Sequence, residues 1–214
     1  MVATTRQPER VPRFDRVERA LHWTNAILVA ILVATAAVLY FEPLVRLVGR
    51  RALIEDIHVY TGLALPVPVI ASLCGRWGRA LRADLRRLNR WTAEDRQWLG
   101  ATTKGRDHRR WLRERLAIGK FNAGQKLNAA FVAGALLVLL GTGVILRWPN
   151  FWPLSWRTGA TFVHDYLAVA LVVVIVGHMM FALRDPDALG SMVRGWIPRS
   201  WARDHASAWL DELD

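Results

Sequence analysis

An apolar segment near the C-terminus begins and ends with histidine. It runs from His164 to His178 and reads HDYLAVALVVVIVGH. In an α-helix, the steps between these histidines advance about 21 Å and return to within about 40° of the starting direction, so both imidazoles face the same way. An ionisable side chain is costly in hydrocarbon and is by default a functional residue there. Because imidazole is a common ligand of haem iron, we interpret this segment as one membrane helix serving two stacked haems.

The composition indicates an integral membrane protein rather than a basic soluble one. The chain has 214 residues, of which 53% are hydrophobic, and a formal net charge of +11. The apolar residues are gathered into four blocks, each about long enough to span a bilayer. These blocks cover residues 23–41, 57–74, 128–146 and 163–183. A single cysteine, Cys74, excludes an internal disulfide and a cysteine-ligated cluster within the chain.

We therefore predict an all-α integral membrane fold, with residues 1–214 forming one domain built on a four-transmembrane-helix bundle. Pro66 and Pro68 should kink the second span, because each removes a backbone donor. Two other interpretations are a cleaved secretory signal at the N-terminus and a soluble helical protein with a buried core. The length of the first apolar run favours a membrane span over a signal.

The distribution of Lys and Arg predicts the orientation in a bacterial inner membrane. The arm 1–21, the connection 75–127 and the tail 184–214 together hold 24 of these residues, and the other two loops hold five. Both termini should therefore be cytoplasmic. All eleven tryptophans lie outside or at the ends of the apolar blocks, as expected of an interfacial belt. Arginines and leucines at helical spacing in 76–91 predict an amphipathic helix on anionic lipid, and we predict no nucleic-acid partner.

This orientation divides four histidines into two pairs by depth. His22 and His178 fall near the cytoplasmic face, and His58 and His164 near the outer face. Helices that face each other in a bundle commonly hold a cofactor between inward side chains. For any one of these histidines, the alternative is an interfacial side chain that reaches water. His108 and His205 lie in polar segments, and we expect them to be solvated or to face a partner.

The segment KFNAGQK, residues 120–126, precedes the third span on the predicted cytoplasmic side. It gathers two carboxamides, two ammonium groups and a glycine. Such groups can donate hydrogen bonds to a quinone carbonyl or hold water that supplies protons. The alternative is a polar cap at the entrance of a helix.

An ordered set of motifs, spread over nearly the whole chain, resembles one protein family. The set comprises His22-Trp23, His58, KFNAGQK, GVILRWPNF, the His164/His178 pair and SMVRGWIPRSWARDHASAW. It resembles the gamma subunit, a membrane dihaem cytochrome b, of respiratory formate dehydrogenase, within the wider bacterial cytochrome b561 group. The resemblance implies four transmembrane helices and two b haems. It also implies partners: an iron–sulfur beta subunit and a catalytic alpha subunit containing molybdenum or tungsten.

The resemblance also implies residue roles. The outer haem would be bound by His58 and His164, and the inner haem by His22 and His178. Menaquinone or ubiquinone would be reduced beside the inner haem, at a site that includes Asn122 and Gly124. We add Gln125 to this site on its chemistry alone. The chain would then be the quinone-reducing electron-transfer subunit of an oxidoreductase, with formate oxidation in another subunit and no catalytic residue of its own.

Three alternatives remain open at this point. The first is a stand-alone cytochrome b561-type quinol or superoxide oxidoreductase. The second is the cytochrome b subunit of another molybdoenzyme, such as a thiosulfate reductase. The third, from a different functional class, is a metal transporter that uses the histidines as transient sites.

Overall fold

The computed structural model describes residues 9–102 and 116–214, and these are mostly helical. In chain order, the helices are α1 (Arg16–Tyr40), α2 (Glu42–Val48), α3 (Arg51–Ala64), α4 (Pro66–Cys74), α5 (Arg79–Asn89), α6 (Ala93–Thr102), α7 (Ala123–Arg147), α8 (Leu154–Leu183), α9 (Pro186–Arg194), α10 (Arg199–His205) and α11 (Ser207–Asp211). Single 3₁₀ turns lie at Arg76–Gly78 and Pro149–Phe151. Two short strands, β1 (Arg10–Pro12) and β2 (Trp196–Pro198), pair in antiparallel register, with Val11 opposite Ile197.

Four helical segments are long and apolar enough to cross a membrane, as the four apolar blocks predicted. They are α1, the α3–α4 pair, α7 and α8. Each is longer than its apolar block, because the helices continue into the polar flanks. Helix α1 begins at Arg16, and α8 begins at Leu154.

The second span is divided at Leu65, which confirms the effect expected of its two prolines. Helix α3 ends at Ala64, and α4 begins at Pro66. Pro66 and Pro68 have no backbone N–H, so neither can donate to a carbonyl of the preceding turn. The Leu65 N–H instead bonds the Gly62 carbonyl at 3.3 Å, a tighter turn than that of an α-helix.

Reciprocal side-chain bonds fix the start of α1. Glu18 N–H donates to Asp15 Oδ1, and Asp15 N–H donates to Glu18 Oε2, each at 2.8 Å. Helix α6 is capped similarly, since the backbone N–H of Thr92 donates to Asp95 Oδ2 at 2.8 Å. Each acidic side chain satisfies a backbone N–H that the helix itself leaves without a partner.

The chain forms two compact units. We call residues 20–78 and 131–178 the histidine unit, because it contains the four histidines at candidate-ligand positions. We call the described residues of 1–19, 79–130 and 179–214 the terminal unit. Its small apolar core surrounds the β1–β2 pair and includes Val11, Ile197, Ala202, Trp209 and Leu210.

Two local features lie at a turn and at the segment where an amphipathic helix was expected. Gly195 ends α9 with φ +86°, and a Cβ there would lie 2.8 Å from the Phe14 carbonyl oxygen, so only glycine fits without strain. The helix expected over 76–91 is a 3₁₀ turn followed by α5, and it leaves Trp77 exposed but buries Asp84.

Candidate functional site

The first histidine pair lies between α1 and α8 in the histidine unit. The ring centroids of His22 and His178 are 6.4 Å apart, with the ring planes at 63°. The neighbouring Trp23 ring meets His22 edge-on at 5.4 Å between centroids. These are the two histidines that topology alone placed near the cytoplasmic face.

The second pair lies between α3 and α8. The ring centroids of His58 and His164 are 6.3 Å apart, with the ring planes at 65°. Helix α8 therefore contributes one imidazole to each pair, as the spacing of His164 and His178 predicts.

The separation of the rings fits a metal ion held axially by two imidazoles. An imidazole nitrogen lies about 1.2 Å from its ring centre and binds a transition metal at about 2.0–2.1 Å, so two imidazoles on opposite sides of one ion have centres about 6.4–6.6 Å apart. The separations of 6.4 and 6.3 Å lie at the lower end of this range and just below it. Directly stacked or hydrogen-bonded rings would be closer. The donor set of two neutral imidazoles suits a six-coordinate haem iron.

Small residues lie beside these pairs. A Cβ at Gly62, one turn after His58, would meet Leu32 at 3.7 Å, and one at Gly143 would meet the His164 ring at 3.5 Å. A Cβ at Gly177 would have no atom within 4 Å among the described residues. Of these three glycines, Gly143 is the one in contact distance of an imidazole, so a larger side chain there would press on the His164 ring.

Two threonines that the sequence analysis did not single out orient the outer pair. Thr35 Oγ1 lies 2.9 Å from His58 Nδ1, and Thr142 Oγ1 lies 2.9 Å from His164 Nδ1. The hydroxyl proton of Thr35 is directed to the Ile31 carbonyl at 2.8 Å, and that of Thr142 to the Val138 carbonyl at 2.8 Å. Each hydroxyl can therefore accept a hydrogen bond from an imidazole that carries its proton on Nδ1. This tautomer leaves Nε2 of each outer histidine as the unprotonated nitrogen.

In the segment KFNAGQK, the contacts are those of a helix cap. Asn122 Oδ1 accepts from the Gln125 N–H, and Gln125 Oε1 accepts from the Asn122 N–H, each at 3.0 Å. These bonds start α7 and match the structural alternative considered for this motif. A Cβ at Gly124 would lie 2.9 Å from a Trp98 ring carbon, so the glycine admits the indole. The capping bonds use the carboxamide oxygens and leave both NH₂ groups as donors toward a ligand.

The two lysines of this segment form buried ion pairs in the terminal unit. Lys120 pairs with Asp84, and both side chains are 6% exposed. Lys126 Nζ lies 2.7 Å from Asp95 Oδ2 and donates to the Arg90 carbonyl at 2.9 Å. The pairs attach the start of α7 to α5 and α6.

A buried arginine lies in the same unit. Burial lowers the pKa of Arg13 to about 10, and the carboxylates of Asp185 and Asp84 oppose this effect. Arg13 therefore remains a cation at neutral pH. Its guanidinium lies 4.4 Å from the centroid of the Trp201 ring and donates to Ser191 Oγ at 3.4 Å.

The remaining histidines are not part of either pair. His205 stacks on Trp201, with ring centroids 4.7 Å apart, and its Nδ1 contacts the Trp201 carbonyl at 3.0 Å. It is thus half-buried against its own helix rather than fully solvated. His108 lies outside the described residues.

The chain is similar to known proteins over almost its whole length. It is 28% identical to the formate dehydrogenase cytochrome b556(fdo) subunit of Escherichia coli K12, over 96% of this chain and 94% of that subunit. It is 26% identical to the nitrate-inducible formate dehydrogenase cytochrome b556(Fdn) subunit of the same organism, over 95% and 92%. The formate dehydrogenase cytochrome b556 subunit of Haemophilus influenzae is 24% identical, over 95% and 83%.

A family model extends over more than half of the chain. The model for prokaryotic cytochrome b561 matches residues 13–195, a range that contains all four paired histidines and the KFNAGQK segment. The chain belongs to the prokaryotic cytochrome b561 family.

Proposed function

We propose that this chain is the membrane-anchoring cytochrome b subunit of a respiratory formate dehydrogenase. It would pass electrons from an iron–sulfur subunit on the periplasmic side to a quinone near the cytoplasmic face. The observation that carries the proposal is the presence of two imidazole pairs at the spacing of axial ligands, on helices long enough to cross a membrane. The similarity to the Escherichia coli cytochrome b556 subunits supports formate as the donor.

In this proposal, His22 with His178 and His58 with His164 each hold one haem b. Haems held in this way by two imidazoles each would supply one-electron transfer between the leaflets rather than oxygen chemistry. The chain's own contribution is to fix these four imidazoles on helices in two pairs. The rigid helix α8 holds one ligand of each pair and so sets the spacing of the two sites along one axis.

The quinone is the substrate of this subunit, and we place its site at Asn122, Gly124 and Gln125. The carboxamide oxygens of Asn122 and Gln125 are occupied by the cap, so their NH₂ groups are the donors that can bind a quinone carbonyl. Gly124 brings Trp98 against the start of α7, where the indole can pack on a quinone ring. Reduction to the quinol takes two electrons and two protons, and we propose that the protons come from the cytoplasm. Oxidation of formate itself takes place in another subunit.

Purification of the native membrane complex tests this proposal. We expect the chain to copurify with an iron–sulfur subunit and a molybdenum- or tungsten-containing subunit, and formate to reduce its b haems before quinone is added. A stable single-subunit cytochrome with full quinone turnover would instead identify a stand-alone oxidoreductase. Reduction by another donor but not by formate would identify the subunit of a different molybdoenzyme. Absence of haem absorbance would favour a metal transporter.

A further inference from the structure

The two histidines of the outer pair lie on different helices, but each makes the same contact, from its Nδ1 to a threonine hydroxyl. His58 on α3 is contacted by Thr35 of α1, and His164 on α8 is contacted by Thr142 of α7. In both cases the threonine lies on the membrane helix that precedes the histidine in the chain. The distance from hydroxyl oxygen to Nδ1 is 2.9 Å in both.

The direction of each hydrogen bond follows from the hydroxyl's other contacts. Thr35 Oγ1 lies 2.8 Å from the Ile31 carbonyl and 3.1 Å from the Leu32 carbonyl, and its one proton is directed to these two acceptors. Thr142 repeats the arrangement with Val138 at 2.8 Å and Leu139 at 3.1 Å. A hydroxyl whose proton is used in this way can act as the acceptor for an imidazole Nδ1–H, and this tautomer leaves Nε2 free to bind a metal.

We propose that Thr35 and Thr142 are positioning residues that hold His58 and His164 as Nε2 ligands and lower the reduction potential of the outer haem. This inference rests on the proposed haem-binding function. When the imidazole nitrogen that does not bind the metal donates a hydrogen bond, the bond fixes the orientation of the ring and makes the ring a more basic ligand. A more basic ligand stabilises ferric iron over ferrous iron, and hydrogen bonds to the ligands are one of the means by which a protein sets a haem potential.

The effect is specific to one site. Thr35 lies thirteen residues beyond His22 on α1, which corresponds to about 20 Å along the helix, so its hydroxyl cannot reach the inner pair. Thr35 is also 7% exposed, and water would not readily replace its hydroxyl.

The test compares Thr35→Val and Thr142→Val with Thr35→Ser and Thr142→Ser in the purified complex. Valine removes the hydroxyl at nearly constant shape, and serine keeps it. Thr161→Val is the matched control, because Thr161 lies on the same helix as His164, is exposed and, like Thr35 and Thr142, donates to the carbonyl four residues back, here at 3.0 Å. The readouts are a redox titration that resolves the two b haems and the EPR spectrum of each low-spin ferric haem. His58→Ala identifies the outer component.

We expect each valine variant to raise the potential of the outer haem and to shift its EPR signal, with the inner haem unchanged. The double valine variant should show a larger shift, and the serine variants and Thr161→Val should match the unmodified complex. Loss of the outer haem alone in a valine variant, with serine restoring it, would support the same role more strongly. Valine variants with both haems present at unmodified potentials would overturn the inference, as would serine variants that shift as much as valine. If the unmodified protein contained no haem, the proposed function itself would fail.

Discussion

Replacing Asn122 with aspartate separates the two roles of this residue, as a helix cap and as a hydrogen-bond donor to quinone. Asn122 Oδ1 accepts from the Gln125 N–H at 3.0 Å, and an aspartate oxygen can do the same. Aspartate and asparagine are about equally good N-caps, so Asn122→Asp should change stability by less than about 0.5 kcal/mol, whereas Asn122→Ala should cost about 1 kcal/mol.

The consequence for quinone reduction should be the opposite of the consequence for stability. Aspartate replaces the NH₂ group by a second acceptor oxygen, so the donor is lost while the cap is kept. Bound quinone would cover this oxygen, and an acceptor left unsatisfied when it is covered costs about 1–3 kcal/mol, which corresponds to a decrease of roughly 5- to 150-fold in kcat/KM for quinone. We expect Asn122→Asp to unfold at the same temperature as the unmodified complex but to reduce quinone at this lower rate.

The assay is formate-driven quinone reduction by the purified complex, measured beside its thermal unfolding. Asn89→Asp is the matched control, because Asn89 ends α5 in the same unit and is exposed. Its kinetics should be unchanged. Unmodified quinone turnover in Asn122→Asp, with turnover in Asn122→Ala falling only as stability falls, would show that Asn122 is a cap and not part of a quinone site.

Further predictions concern packing, charge and topology. Lys126→Met should destabilise the complex by about 3 kcal/mol or more, because it leaves the buried carboxylate of Asp95 without its cation. Arg46→Met breaks the ion pair with Glu42, whose side chains are 77% and 74% exposed, and should cost under about 1 kcal/mol. Equal shifts of the unfolding temperature in the two variants would contradict this prediction. Gly124→Ala should lower both stability and quinone turnover, because its Cβ would press on Trp98. Gly134→Ala on the same helix should be tolerated. A larger loss of stability in Gly134→Ala than in Gly124→Ala would refute the packing argument. Reporter domains fused after Gly49 and after Asn150 should lie in the periplasm, and a reporter fused at the C-terminus should lie in the cytoplasm. The opposite pattern would reverse the proposed direction of electron transfer.

Much of the histidine geometry could be predicted from the sequence, because helical periodicity and alternating topology are strong constraints. His164 and His178 lie on one face of a membrane helix, at two different depths. The orientation of the other spans then places His22 at the depth of His178 and His58 at the depth of His164. The ring distances within the two pairs agree with that reasoning.

The threonines could not be predicted, because their sequence signal is ambiguous. A threonine in an apolar helix usually bonds a carbonyl of its own preceding turn, and Thr35 and Thr142 do this as well. Only the packing of α1 on α3, and of α7 on α8, shows that the same hydroxyls also contact an imidazole.

The KFNAGQK segment illustrates a second limit. An asparagine followed three residues later by glutamine is the pattern of a capping box, and the same carboxamides are suitable ligands for a quinone. The sequence therefore supports both interpretations. The ion-pair partners of Lys120 and Lys126 also could not be predicted from the sequence. Asp84 and Asp95 lie 36 and 31 residues earlier in the chain, among many other charged residues.

The ratio of haem to chain, measured with and without His178, tests the central claim most directly. We predict two low-spin b haems per chain in the reduced-minus-oxidised spectrum of the unmodified complex. In His178→Ala we predict one haem, with the outer component retained and quinone reduction abolished. A complex without b-type absorbance, or a His178→Ala variant that keeps both haems at full occupancy, would contradict the assignment of the two imidazole pairs as haem ligands.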